Sequence, residues 1–539
     1  VTLGNFNLKL NGLNTPLVGG TSTDYIVTNG TGSFSRNFDN VATLYPVGPD
    51  ASTYSPVTMQ QTGTADDITV RVNTAPAYSF AINDNNQMVN LEWKINEGVA
   101  GGNNLSSNFQ WPLSSEAAGF IRANGVFQGD YTGASWQVRA SSLSGGNPYL
   151  SSSSVNFSGT LSNRPFVLGN INGIIGCVAT IANGPWNNTS TWTGGAIPPT
   201  ASTACIGHNV QIVGGNTNAI SSLTLTAGGT LDIDATRSLI FGTGGLLTNS
   251  TGASSTITGG GSILFNGTGT IAGGNAITIN SAELNGLTTI STPLTVNGDL
   301  IFNSGSSVSA TPTYGSSSSL IYNTGGSYGV NVEWTGNSNT AGLGVPNNVS
   351  IRNNTTLNMP SSDRGQSGTM SIEVGTLNMG TGDLYVNGDW TRHGTNGFFN
   401  PNGKAIFFNR SGTQNITVTG GGTETFNYLV LNKASGSLVL NSTDITNITV
   451  NGSAGNTLQI LNAGSLDING NNLNLTNAGG SILASGGVRS IISTLPNGQV
   501  NVQASKSVTS NLGGTLEFGS NVKVALSAGM DFGNTLSTI

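Results

Sequence analysis

Residues 223–234 read LTLTAGGTLDID, and this stretch decides the fold. Leu223, Leu225, Leu231 and Ile233 alternate with Thr224, Thr226, Asp232 and Asp234. That period of two places apolar side chains on one face of an extended chain and polar ones on the other. The break between the two strands, Ala227-Gly228-Gly229, is far too short for a crossover helix. The stretch recurs without gaps as LQILNAGSLDIN at residues 458–469.

Working outward, SLIF at 238–241, SILF at 262–265 and AITI at 276–279 repeat the alternation, separated by short runs of Gly, Asn and Ser. A second echo joins LTVNGDL (294–300) to LYVNGDW (384–390), with ITVNG (448–452) as a shorter copy. A third pairs WTG, IP and NVQI at 192–194, 197–198 and 209–212 with WTG, VP and NVSI at 334–336, 345–346 and 348–351. Short strands joined by tight polar corners, repeated over more than half the chain at irregular spacing, predict a long right-handed parallel β-helix.

Composition narrows the alternatives. Of 539 residues 78 are Gly, and only 8% are charged, where about 25% is ordinary for a soluble globular domain. Amphipathic helices need Glu, Lys, Arg and Leu in quantity, so helical architectures are excluded. Collagen is excluded because Gly has no third-position period and Pro numbers only 17. The 36% hydrophobic content in alternating runs argues for a folded all-β chain rather than disorder. A net charge of -7 with 17 thinly spread Lys and Arg leaves no basic stripe for nucleic acid. The longest apolar run, 174–182, is about half of what a membrane helix needs.

Residues 25–168 read differently. DITVRV (67–72), VNLEWKI (89–95) and SWQVR (135–139) are longer strands with larger side chains, and Trp93, Trp111, Trp136, Phe109, Phe120 and Phe127 suit a core between two sheets. A β-sandwich of immunoglobulin-like size is expected here. VTLGNFNLKL at 1–10 resembles LDINGNNLNL at 466–475, so residues 1–24 read as the end of a preceding coil. Residues 169–222 then form the entry or capping segment of the solenoid, and 223–539 its coils. Both ends fall inside coil-like sequence, and the chain is expected to be a window cut from a longer secreted protein.

Cys177 and Cys205 are the two cysteines. A disulfide closing a loop of about 28 residues and two free buried thiols are both open on sequence; the disulfide would staple the start of the solenoid and contribute roughly 3 to 4 kcal/mol.

GDW, GFFNPNGKAIFFNRSGTQNIT and FNYLVLNKASGSLVL within 388–440 resemble a coil series of very large secreted surface proteins of Bacteroidota. YIVTNGTGSFSR (25–36), TLYPVGP (43–49), YSPVTM (54–59) and LEWKINEGVAGGNN (91–104) resemble the sandwich module beside such coils, and WNNTSTWTGGAIPPT (186–200) the entry coil. The resemblance implies export by type IX secretion to the cell surface and a role in adhesion, gliding or surface-filament building. Its expected partners are surface glycans, neighbouring modules of the same protein and, during export, the secretion machinery.

No catalytic, cofactor or metal site is expected. An enzymatic β-helix needs carboxylates converging on one groove. Asp232 and Asp234 share a strand face, but it is the outward, solvated one. Asp66 and Asp67 alternate faces, and Glu92 and Glu97 belong to the same sheet-like region. His208 and His393 have neither a nucleophile nor a second metal ligand at useful spacing. The glycine runs 259–261 and 420–422 lack the helix and Lys-Ser/Thr of a phosphate cradle and read as corners. The Thr alternations at 224–226, 256–258 and 417–419 do not recur at one coil position, which argues against an ice-binding ladder. Trp186, Tyr385 and Trp390 are candidates for stacking on sugar rings, whereas Trp192 and Trp334 read as corner packing. The rival class is a carbohydrate-binding or polysaccharide-degrading β-helix protein.

Overall fold

The alternating runs form strands throughout. In the computed structural model the chain is all-β, 51% strand and 4% helix, with a long parallel β-solenoid of about 21 turns. The structure describes residues 1–10, 20–28, 30–38, 40–74, 78–133, 136–153, 156–253 and 257–532. Part of the expected first coil (11–19), Ser135, Thr256 and the last residues of the expected coil series (533–539) lie outside the described residues. The chain divides into two units, Val1–Asp232 and Ile233–Ile539.

In the first unit the long strands join a 12-stranded sheet. Its centre is antiparallel: Asp66–Thr74 pairs with Met88–Glu97, which pairs with Arg164–Gly169, then Val126–Tyr131 and Trp136–Ser144. Pairing continues through Tyr149–Ser153 and Asn104–Trp111 to Val57–Gln61 and Thr43–Tyr45. The sheet curls over a shared core. Trp93 meets Phe109 at 4.9 Å between ring centres, Phe157 meets Phe166 at 4.7 Å, and the Trp93 indole donates to the Ser55 carbonyl at 2.9 Å. Trp93, Phe109 and Trp111 are fully buried, as the sequence led us to expect. Trp136 is not; it lies half-buried on the outer face.

The first residues stack as rungs. Leu3 N donates to the Val27 carbonyl, Ile26 N to that of Pro46 and Thr28 N to that of Gly48, and Leu8–Leu10 runs parallel to Phe34–Phe38. After the short helix Ile171–Ile175, parallel coils begin within the expected entry segment: Val178 aligns with Ala204, and Ala204 with Leu223. These coils pack on the sheet that precedes them. A Cβ on Gly194 would meet Val138 at 3.1 Å, and Asn170 N donates to the Gln87 carbonyl. That packing explains why the first unit extends past the expected boundary at 168 to Asp232. The Cys177–Cys205 disulfide is formed, with Cα atoms 5.9 Å apart, and ties the first of these coils to the next.

The second unit is a stack. One interior column runs Leu239, Ile263, Ala282, Leu300, Leu320, Val349, Met370, Trp390, Ile416, each paired in parallel register with the next. The step ranges from 18 residues (Ala282 to Leu300) to 29 (Leu320 to Val349), so corners absorb length differences while strands keep register. Further along, each coil supplies three strands, as in Gln414–Thr419, Gly422–Phe426 and Tyr428–Lys433. Like residues stack on like: Phe241 lies on Phe265 at 4.8 Å with ring planes 11° apart.

Corners are built from Gly and Asn for two reasons. At Gly436 the backbone is left-handed, φ 77°, and a Cβ there would sit 2.4 Å from the Gly412 carbonyl carbon of the coil below; no side chain fits. Asparagines stack into amide ladders, Asn378 Nδ2 donating to Asn358 Oδ1 at 3.0 Å and Asn400 Nδ2 to Asn378 Oδ1 at 2.6 Å. An amide carries donor and acceptor together, so each satisfies its neighbour at the strand spacing of about 4.8 Å.

The interior is not wholly apolar. Lys433 is fully buried, donating to the Arg410 carbonyl and to Gln414 Oε1 at 2.8 Å. The 29-residue coil buries Glu333, whose Oε1 accepts from Tyr322 Oη at 3.1 Å and Asn331 N at 3.0 Å, while its carbonyl accepts from Tyr314. Burial raises the Glu333 carboxyl above its usual range.

Two outcomes are expected. Reducing the disulfide, or replacing Cys177 and Cys205 together by Ser, destabilises the Val1–Asp232 unit by about 3 kcal/mol, read as a lower melting temperature; an unchanged melt with reductant present would sink the claim that the bond staples these coils. Burial pushes Lys433 down to about 8, so the unfolded chain holds more protons than the folded one between that value and the ordinary lysine pKa of about 10.4. Stability therefore rises with pH across that window, and urea unfolding of Lys433→Met shows a flatter profile.

Candidate functional site

Residues 78–81 cross the outer face of the sheet in the first unit, held from below. Tyr78 Oη donates to the Val89 carbonyl at 2.9 Å, and Ser79 clamps both oxygens of the buried Glu92 through its N–H and Oγ, each at 2.8 Å. With both neighbours pinned, Phe80 projects outward and stays 42% exposed. Its ring stacks on Tyr131, centres 3.8 Å apart and planes 12° apart, and Tyr131 meets Trp136, its cross-strand partner, edge-on at 5.4 Å. The Trp136 indole is fixed in turn by its hydrogen bond to the Ala81 carbonyl at 2.8 Å.

This aromatic ridge separates two grooves. One, of about 480 Å³, lies between Phe80, Tyr131, Ser79, Lys94 and Arg164. The other, of about 560 Å³, is lined by the same two rings with Trp136, Ile174 and Cys177. The polar groove is cationic. Lys94 stands directly opposite Arg71 across the antiparallel pair, an arrangement that costs free energy when nothing neutralises it. The nearest anion to Lys94 is Glu92 at 3.9 Å, already engaged by Ser79, and the Arg71 Nε is buried without a partner among the described residues. Arg164 shares the buried Asp130 with Arg139. That second group faces the core, Arg164 sharing a strand face with the buried Phe166 and Arg139 lying over the buried Phe157, so the cation that the groove itself presents is Lys94.

Two of the three aromatic residues that the sequence offered for sugar stacking are placed elsewhere. Trp186 is buried edge-on against Trp192 at 4.8 Å, and the Trp192 indole donates to the Trp186 carbonyl. Trp390 occupies the interior column above Met370, fully buried, its indole donating to Glu424 at 2.9 Å. Neither has a free face, because coil stacking turns these positions inward. Tyr385 points outward, half-buried and stacked on Phe407 at 4.6 Å. Trp334 is buried, donating to the Gly365 carbonyl.

The acidic and imidazole candidates do not converge. Asp234 is exposed and Asp232 half-buried, on either side of the buried Ile233. Asp66 accepts from the Asp67 and Val99 amides, and Glu97 from those of Gly101 and Leu161. His208 Nδ1 bonds Thr180 at 3.0 Å, and His393 Nδ1 accepts from the Asn396 amide. Among the described residues no three His, Cys, Asp or Glu side chains are grouped to hold a metal, and no helix is long and apolar enough to cross a membrane.

The second unit carries polar grooves of its own. One, of about 550 Å³, runs past Arg237, Asn280, Glu283 and Asp299; another, of about 730 Å³, follows the ladder of Asn358, Asn378 and Asn400. Sequence reading missed the aromatic ridge because Phe80 sits in no alternating run. The signal that was present is Tyr131 and Trp136 bracketing a turn between two strands. No protein-family model, no curated protein and no solved structure matches the chain.

Proposed function

We propose that the chain is a non-enzymatic structural and adhesive segment of a large cell-surface protein. In this reading a right-handed β-helix serves as a stiff spacer, and the curled sheet before it is a sandwich-type module that makes contacts. The observation that carries the reading is the unbroken parallel register from Leu239 to Ile416, continued by three ladders per coil. A stack whose every coil bonds the next resists extension along its whole length with few charges.

The use of carboxylates supports it. Glu424 is held by Arg392 and Trp390, Glu373 by Arg352 and Ser350, Asp130 by two arginines and Glu333 by Tyr322. These acids serve the framework. An extracellular setting, reached by type IX export in a member of the Bacteroidota, rests on the resemblance of segments 25–104, 186–200 and 388–440 to surface proteins of that kind.

The rival, a polysaccharide-degrading β-helix, is tested directly. The chain is expected to release no reducing ends from a panel of plant and algal polysaccharides. Turnover that disappears on replacing Asp232 and Asp234, or Glu283 and Asp299, by their amides would overturn the non-enzymatic reading. For the adhesive half, beads coated with the chain are expected to stay on polysaccharide-coated glass under flow longer than albumin-coated beads. Equal retention would remove that half and leave the spacer.

A further inference from the structure

The two grooves flanking Phe80 and Tyr131 combine features that no other described surface shares. A large aromatic ring is held outward by hydrogen bonds on both sides of it, so its exposure is built rather than incidental. Exposed rings of this kind offer a flat face to the C–H face of a pyranose. Beside it, Arg71 and Lys94 oppose each other across paired strands, with Glu92 the one carboxylate within 4 Å of Lys94 among the described residues. Like charges placed directly opposite on a sheet are destabilising unless an anion meets them. Within this chain the acids on that face are already engaged: both Glu92 oxygens accept from Ser79, and Asp67 pairs with Lys9 at 2.5 Å.

We infer that the Phe80–Tyr131 ridge and the groove beside it that holds Lys94 bind an acidic polysaccharide, a pyranose stacking on Phe80 while its carboxylate or sulfate meets the Lys94 ammonium. Thr132, Ser162 and Asn163 along the same groove supply donors and acceptors for ring hydroxyls. The inference names the partner class of the adhesive reading and rests on it.

The test is calorimetric titration of the whole chain with three probes of equal length: oligogalacturonate, a sulfated galactan oligosaccharide and a neutral galactan oligosaccharide. Binding of at least one anionic probe is expected, weakened several-fold between 50 and 500 mM NaCl, with the neutral probe at least tenfold weaker. Phe80→Ala is expected to weaken the anionic probe at least tenfold and Phe80→Tyr to retain it. Lys94→Gln is expected to weaken binding and flatten its salt dependence, with melting temperatures within a few degrees of the parent protein. Absence of binding to both anionic probes overturns the inference, as does binding untouched by Phe80→Ala or equal affinity for the neutral chain. If coated beads still adhere to polysaccharide while Phe80→Ala changes nothing, this site falls and the adhesive reading survives elsewhere on the chain.

Discussion

Everything in the Ile233–Ile539 unit follows from one spacing, the distance of about 4.8 Å at which parallel strands exchange backbone hydrogen bonds. Once coils lie on one another at that distance, each side chain of a register-paired strand has a counterpart in the coil next to it. Apolar residues profit, as Phe241 on Phe265 shows. Amides also profit, since they are their own complement. Charges do not, because a carboxylate repeated at that interval repels itself. The scarcity of Asp, Glu, Lys and Arg is therefore a condition of the architecture, and the abundance of Gly and Asn is its other half.

Where charge does enter the stack, it comes with compensation that spans coils. Arg392 and Glu424 are 32 positions apart and pair in the interior, with Trp390 donating to the same carboxylate. Glu333 arrives on a coil longer than its neighbours, where Tyr322 of the same coil donates to its carboxylate and Tyr314 of the preceding coil to its carbonyl. Such groups fix which coil lies over which, a specificity that an interior of interchangeable leucines and isoleucines lacks.

The solenoid was legible because its rule is local. Alternation gave the strands, and the VNGD motif at 296–299 and 386–389 marked the same corner twice, each time followed by a ladder strand, Asp299–Phe302 and Trp390–His393. The strand face of a tryptophan was harder. Trp390 follows a polar corner and reads as surface, yet register with Met370 turns it inward. In the first unit Trp93, Phe109 and Trp111 announced a core, but Trp136 belongs to the opposite face because its strand pairs Trp136 with Tyr131 rather than with a core residue. The start of the coils at Val178 was hidden because strands of two residues, such as Val178–Ala179 and Gly184–Pro185, carry no period. Phe80 could not be placed at all from sequence, since its exposure depends on Ser79 being held by Glu92, thirteen residues further along the chain from that serine.

Two asparagine ladders share a direction. Asn378 donates to Asn358 and Asn400 to Asn378, just as Asn323 donates to Asn303 and Asn303 to Asn285. Each run is a chain of amide dipoles aligned head to tail, and such chains strengthen their members cooperatively. Hydrolysis of the Asn378 amide to a carboxylic acid deletes the donor to Asn358 and sets a negative charge against its Oδ1, turning an attraction into a repulsion at that corner. The amides that hold these corners together are thus also the groups at which a change of one atom, nitrogen for oxygen, would set one coil against the next.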